Sequence, residues 1–327
     1  NKEAAYLDAM ELIRQFSGLG KGDAGIAGGK GASLGEMTQA GIPVPPGFVV
    51  LASAFEKFLD EANLNQELDT ILDQEVRRDE IQSVDLASAK IQQLITSAKM
   101  PEDIAREILE HFKVLDAERV AVRSSATAED GATAAWAGQL ESYLNTTEED
   151  VLENVQKCWA SLFTPRAIFY RFEKGMHGTK ISVAVVTQKM VQSEVSGIAF
   201  SVHPVTEDYN QMIIEAGFGL GEAIVSGQVT PDSYVIEKEP RRIIDKNITY
   251  QNRALWRAAA GGNEWRNLSE EEGNKPALTD KQALELAELV LKIEKHYGFP
   301  CDIEWAFEAG KFFITQSRPI TTLSKRS

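Results

Sequence analysis

The chain has 327 residues, 43% of them hydrophobic and 25% charged, a composition that excludes disorder and fibre and allows a core large enough for two domains or two lobes. Its net charge of −15 comes with no cluster of Lys and Arg able to neutralise a run of phosphates, which excludes nucleic acid as the expected partner. Free ATP would be repelled by such a surface, so a nucleotide site here must supply a few local cations of its own.

Neither an export leader nor a long uncharged apolar run is evident, so no membrane span is expected and a cytoplasmic location is the default. Cys158 and Cys301 lack CxxC or histidine-ligand spacing and read as packed thiols of a reducing compartment. The chain opens on Asn1 rather than Met, which points to a piece of a longer protein.

In chain order, the first hundred residues read mostly as helix. Early among them, "GIAGGKGASLGEM" invites a phosphate reading, because Gly28, Gly29 and Gly31 let backbone amides approach an anion and Lys30 adds a point charge. It is not a P-loop: Ala24 and Gly31 stand where that motif needs Gly and Ser or Thr. What remains is a glycine turn feeding a short helix that stops at Gly41, with Lys30 either a phosphate ligand or part of a structural turn. Ser53 with Glu56 spells a capping box ahead of an amphipathic helix, and helical patterns follow at 81–98 and 102–115.

Next, "AVRSSATAEDGATAAWAGQLES" predicts a strand ending at Arg123, then a small-residue loop that could close over charged oxygens. The plainer alternative pairs Arg123 with Glu129 or Asp130 on a surface loop. A second strand is expected over 141–144, then a helix capped by Thr146 and Glu149 and interrupted by Pro165. In "VVTQKMV" a strand could present its backbone to an adenine edge beside Gln188, or could simply be an edge strand.

From Lys180 onward strands dominate. "EAGFGLGEAIVSG" fails the dinucleotide fingerprint, because Glu222 holds the third glycine's place; Glu215 reads as a ribose or metal ligand, or as a capped loop acid. The stretch "NLSEEEGNKPALTD" reads as a surface loop or linker, and Thr279 with Gln282 caps one more helix ending at Gly298. Helices first and strands second argue for an α+β molecule with two lobes, which we place at 1–187 and 188–327, and a cleft between lobes is the expected ligand site.

The chain closes on a hairpin, "DIEWAFEAGKFFITQSRP". A two-residue turn at Ala309 and Gly310 would oppose Glu304 to Thr315 and send Gln316 to the other face. A three-residue loop over 308–310 would instead oppose Glu304 to Ile314 and Asp302 to Gln316, placing Asp302, Glu304, Gln316 and Arg318 on one face. Glu304 and Gln316 would then be diagonal neighbours, roughly 7 to 8 Å apart along the backbone. A carboxylate, an amide oxygen and a guanidinium suit magnesium and polyphosphate, with Arg318 taking the charge that develops on a transferred group. The alternative is an ion pair between Arg318 and Asp302 or Glu304. None of the four histidines has metal or triad spacing.

Taken together, "GGKGASLGEM", "GIPVPPGFVV", "VRSSATAED", "WAGQLESYLN", "FTPRAIFYR", "TQKMV", "SGIAFSVHPVT", "EAGFGLGE", "DIEWAF" and "ITQSRPI" resemble, in this order, the nucleotide-binding domain of the phosphoenolpyruvate synthase, pyruvate phosphate dikinase and rifampin phosphotransferase family. The resemblance implies an ATP-grasp fold, two lobes clasping ATP and a divalent metal, Mg2+. By matching position it implies that Lys30, Arg123 and Arg318 bind phosphates, that Gly138, Ser142 and Tyr143 form the lid and its strand, and that Gln188 and the backbone near Met190 face adenine. It also implies Glu304 and Gln316 as the magnesium ligands. Two departures are "DGATAAWAG", which lacks the usual Leu-Pro after Asp, and Ser142, where Thr is common.

The reaction that the resemblance implies begins when a histidine on a separate swivelling domain attacks the β-phosphorus of ATP. AMP leaves, and the pyrophosphorylated histidine loses phosphate. The remaining phosphoryl group then passes to pyruvate, or to an antibiotic hydroxyl, in a third domain. This chain lacks the Thr-Ser-His stretch and the acceptor domain, so it resembles the N-terminal third of such an enzyme. The readings left beside this one are a non-catalytic ATP-binding module and a structural domain without nucleotide.

Overall fold

A computed structural model describes residues 10–127, 141–175 and 181–324. It has an α+β architecture in two compact units, one of Asn1–Gln39 with Pro46–Met190 and the other of Ala40–Pro45 with Val191–Ser327.

The first unit runs, in chain order, β1 (Ile13–Gln15), α1 (Ala24–Gln39), β2 (Gly47–Val50), α2 (Ala52–Glu61), α3 (Asn65–Gln74), α4 (Ile81–Ser97), α5 (Glu102–Val114), β3 (Val120–Ala126), β4 (Ser142–Thr146), α6 (Val151–Ala160), α7 (Pro165–Glu173) and β5 (Val183–Lys189). Among the described residues its strands form one antiparallel sheet in the order β1-β2-β5-β3-β4. Phe48, Val50, Val120, Val122, Val183 and Val185 bury one face of that sheet in a core with helix residues such as Phe55, Phe58, Ile91 and Trp159. Phe58 stacks on Trp159 with ring centroids 4.8 Å apart. The other face carries α1, whose Gly31 lies against Val49 and whose Gly28 lies against Ser125.

Two expected caps are absent here. Ser53 donates its hydroxyl to the Glu11 carbonyl, and α2 starts two residues earlier than expected, at Ala52, with no side-chain cap. Thr146 is drawn into the end of β4, donating to the Tyr143 carbonyl at 3.1 Å, so α6 begins only at Val151. Pro165 interrupts the helical run as expected, and Thr164 caps the new helix by accepting from the Ala167 N–H. β3 continues three residues past Arg123, the end expected from sequence.

The second unit contains β6 (Val195–Phe200), β7 (Gln211–Phe218), α8 (Glu222–Val225), β8 (Asp232–Glu237), β9 (Arg242–Asn247), β10 (Arg253–Arg257), β11 (Asn263–Asn267), α9 (Glu270–Asn274), α10 (Asp280–Tyr297), β12 (Cys301–Glu308) and β13 (Lys311–Pro319). Six strands pair antiparallel in the order β13-β12-β6-β7-β8-β9, and β10 pairs with β11 in a separate ribbon, with one parallel bridge from its Leu255 to Gly219. Burial alternates along β7, β8 and β12, so Ala199, Ile214, Tyr234 and Ile303 share a fully buried face over which α10 packs through Leu286, Ala287, Val290 and Ile293. The capping box of Thr279 and Gln282 is formed, with Thr279 accepting from the Gln282 N–H at 3.1 Å.

The stretch read as a linker is instead anchored: Asp232, fully buried, accepts from the N–H groups of Thr249 and Ala277 at 2.9 and 2.8 Å. Residues 40–45, between two segments of the first unit, cover the outer edge of β13, where the Ile314 N–H donates to the Pro43 carbonyl at 2.8 Å.

The register of the closing hairpin differs from the expected one. Glu308 pairs with Lys311, so the turn holds only Ala309 and Gly310, at φ of 50° and 81°, the two left-handed residues of a type I′ turn. Pairing runs regularly to Trp305 opposite Ile314, and then the register shifts so that Glu304 faces Gln316 and Asp302 faces Arg318. Thr315 is the extra residue of a β-bulge. An even turn plus one inserted residue does what an odd loop would have done, and it brings Glu304 and Gln316 into direct rather than diagonal opposition.

Candidate functional site

In the first unit the candidate residues gather where α1 crosses the sheet. Gly28 breaks α1 with φ 71° and ψ 170°, a conformation open in practice only to glycine. A Cβ there would also stand 2.5 Å from the Ser125 carbonyl oxygen. The glycine thus lets α1 touch β3, and the Ser125 hydroxyl accepts from the Gly31 N–H at 3.4 Å, standing in for a cap on the restarted helix. Lys30, one residue before that contact, reaches the Ser124 carbonyl with its Nζ at 3.3 Å and is half-buried.

Arg123 projects from β3 on the Ser125 face, since the two are two residues apart along the strand. It donates from Nη1 to Gln188 Oε1 at 3.3 Å; Gln188, on β5, is 2% exposed. Arg123 pairs in register with Ser142, which is exposed. Tyr143, the next residue, alternates to the opposite face, packs against the helical core and lies under Lys157 Nζ at 5.7 Å from the ring centroid. Burial, with the nearby Cys158 and Glu141, pushes its hydroxyl up to about 12. Met190 follows β5 and donates its N–H to the Arg119 carbonyl at 3.1 Å. Gly138 lies outside the described residues. Lys30, Arg123, Gln188 and Ser142 are therefore brought to one side of this sheet, and Tyr143 is not.

In the second unit register makes the site. Opposed residues share a face, so the row Gln316, Glu304, Ile198, Glu215 runs across β13, β12, β6 and β7. Two residues further along, Arg318, Asp302, Phe200 and Ile213 form a second row on that face. Asp302 is paired with Arg318, whose Nε donates to Oδ2 at 3.0 Å; the side chains are 15% and 68% exposed respectively. Glu215 is half-buried, and burial together with the neighbouring Asp302 charge raises its carboxyl above the ordinary range. The loop-acid alternative for Glu215 does not apply, because it sits in the middle of β7.

Glu304 and Gln316 offer hard oxygens, one charged and one neutral, from adjacent strands. That donor set fits magnesium, which keeps several positions for water and phosphate. Among the described residues no three His, Cys, Asp or Glu side chains come together as a metal-binding group. Both cysteines are buried, and burial pushes Cys158 up to about 12 and Cys301 up to about 11, leaving them as packing thiols.

Sequence reasoning missed two participants, Ser125 and the bulge at Thr315. Ser125 acts from a strand on a helix 94 residues earlier, a relation without local pattern. Asp302 is not among them: the one-face pattern already offered its ion pair with Arg318 as an alternative. The bulge at Thr315 leaves no mark in the sequence, because only the pairing partners reveal the extra residue.

No helix among the described residues is long and apolar enough to cross a membrane. Comparison with known proteins matches residues 24–327 to the family described as pyruvate phosphate dikinase, AMP/ATP-binding domain. A probable phosphoenolpyruvate synthase of Methanocaldococcus jannaschii is 45% identical over 97% of this chain and 27% of its own length. One of Archaeoglobus fulgidus is 48% identical over 93% of the chain and 41% of its own length. A rifampicin phosphotransferase of Bacillus subtilis is 40% identical over 95% of the chain and 36% of its own length. The chain thus spans less than half of each of these relatives. Its α+β architecture is that of an ATP-grasp-like domain, and the chain belongs to the pyruvate phosphate dikinase AMP/ATP-binding domain family.

Proposed function

We propose that this chain is the ATP-binding part of a magnesium-dependent dikinase that passes the β-phosphoryl group of ATP, as pyrophosphoryl, to a histidine on a separate swivelling domain. The overall product is phosphoenolpyruvate from pyruvate. The observation that supports this reading most is the direct opposition of Glu304 and Gln316, with the pair of Asp302 and Arg318 beside it on the same face.

In this reading Lys30 and Arg123 neutralise phosphate oxygens, and Gln188 with the backbone at Met190 holds the adenine edge. Ser142 and Gly138 belong to the lid and its strand; Tyr143 contributes through backbone rather than ring, since its ring packs into the core. Glu215 serves the ribose or the metal. Glu304 and Gln316 would hold magnesium, which when bound neutralises polyphosphate charge. The histidine nitrogen forms a bond to the β-phosphorus as the bond to the α-phosphate oxygen breaks, and AMP departs with that oxygen. Arg318 stabilises charge that grows on the transferred group, swinging from Asp302 to do so. Such transfer asks the protein for positioning and electrostatics, with little covalent chemistry of its own.

The test is a calorimetric titration with ATP, with and without Mg2+, followed by incubation with a histidine-bearing domain from a relative and assay for AMP. Magnesium-dependent binding and AMP release are expected, and Glu304→Gln should remove the magnesium dependence. ATP binding indifferent to Mg2+ would sink the reading. A second acceptor, a rifamycin hydroxyl, is favoured by the similarity to the Bacillus subtilis rifampicin phosphotransferase. Trapping the phosphorylated product in the complete enzyme decides between them.

A further inference from the structure

The bulge in the closing hairpin is more than a local irregularity. With a two-residue turn at Ala309 and Gly310, the unbulged register opposes Glu304 to Thr315. Gln316 and Arg318 would then alternate onto the face of Ile303, which is fully buried. The hairpin therefore has two registers that share the same turn and the pairs from Glu308–Lys311 to Trp305–Ile314. Only the bulged one gathers the candidate metal and phosphate groups.

Two hydrogen bonds flank the bulge. On the inner side the Thr315 hydroxyl donates to the carbonyl of Glu304, the residue it stands opposite, at 3.3 Å. On the outer side the N–H of Ile314, the last residue in regular register, is taken by the Pro43 carbonyl at 2.8 Å. Loss of the bulge must turn Gln316 onto an apolar face, where an unpaired amide is costly.

We propose that Thr315 is a positioning residue for the metal and phosphate platform: its hydroxyl pins the bulge that keeps Gln316 opposite Glu304 and Arg318 opposite Asp302. This rests on the reading of Glu304 and Gln316 as magnesium ligands. Thr315 touches neither metal nor nucleotide in this role; it fixes the backbone from which a ligand is presented, as outer partners of metal ligands do. Valine keeps the shape and the strand preference of threonine and removes only the hydroxyl, and serine returns the hydroxyl without the methyl group.

The experiment measures ATP affinity of the 327-residue chain across a Mg2+ titration, for wild type, Thr315→Val and Thr315→Ser. Thr315→Val is expected to need about 10-fold more Mg2+ for half-maximal tightening of ATP binding, with affinity in EDTA unchanged. Thr315→Ser is expected to stay within about 3-fold of wild type, on the same scale of outer-partner effects. In metal-free protein, hydrogen exchange over 303–305 and 314–317 should be faster in Thr315→Val, which reads the hairpin itself without any loaded site. An unchanged Mg2+ midpoint and unchanged exchange in Thr315→Val overturn the proposal while the ligand assignment stands. A wild-type chain whose ATP binding ignores Mg2+ overturns that assignment and this proposal with it.

Discussion

The two sheets position their polar residues by different means. In the first unit, Lys30 and Arg123 depend on close approach: α1 meets β3 because Gly28 has no side chain, and the cations stand half-buried on either side of that contact. In the second, Glu215, Asp302, Glu304, Gln316 and Arg318 depend on count: strand register decides which of them face one another. The first arrangement fails by steric intrusion, and the second by a slip of one residue. An acidic chain thus places Lys30 and Arg123 in packed surroundings, and its candidate metal ligands, with Arg318, on a sheet face whose alternation is easily written in sequence.

The comparison can be broken most sharply at Arg318. Its side chain is 68% exposed and bonded to Asp302, so Arg318→Ala should leave the melting curve nearly unchanged. In the complete enzyme it should lower ATP-dependent phosphoryl transfer by about 10² to 10³, the usual cost of losing one donor to developing charge. Next comes Gly28→Ala, where strained φ/ψ and a collision with Ser125 act together; a loss of about 3 kcal/mol in denaturant unfolding is expected. Gly227→Ala, at a φ of 75° but with nothing within 4 Å, isolates the backbone part and should cost only about 1 kcal/mol.

Thr279→Ala should cost about 1 kcal/mol through loss of a formed capping box. The smallest effect is a pH dependence at Glu215. Its carboxyl holds a proton in the folded chain at pH values where the unfolded chain has lost it. Stability should therefore decline as pH rises from the ordinary value of 4.5 through the raised one. Glu215→Gln should flatten that decline in denaturant midpoints measured across the window.

Much of this was legible because local rules coincide with tertiary ones in places. The buried and half-buried alternation along β12 puts Glu304 on the face its sequence pattern indicated, and register brings Glu215 of β7 to the same face. Thr279 caps its helix as its capping-box signature indicated, accepting from the Gln282 N–H. Ser53 and Thr146 carry the same signature and fail, since the Glu11 and Tyr143 carbonyls take their hydroxyls. β10 and β11 were missed because exposed polar residues such as Asn263, Glu264 and Asn267 show no apolar alternation. The hairpin face was right and its construction wrong: a glycine at the turn fits either loop length, and only pairing partners reveal a bulge.

Residues 40–45 have a further consequence. β13 is the outermost strand of its sheet, and Pro43 occupies one of its outward N–H groups from a stretch of chain that precedes the strand by some 270 residues. Open strand edges recruit other chains. A fragment starting at Val191 would keep every strand of its sheet yet lose the cover on that edge, so it should self-associate more readily than the whole chain. The two units are thus distinct in packing but not severable by a single cut.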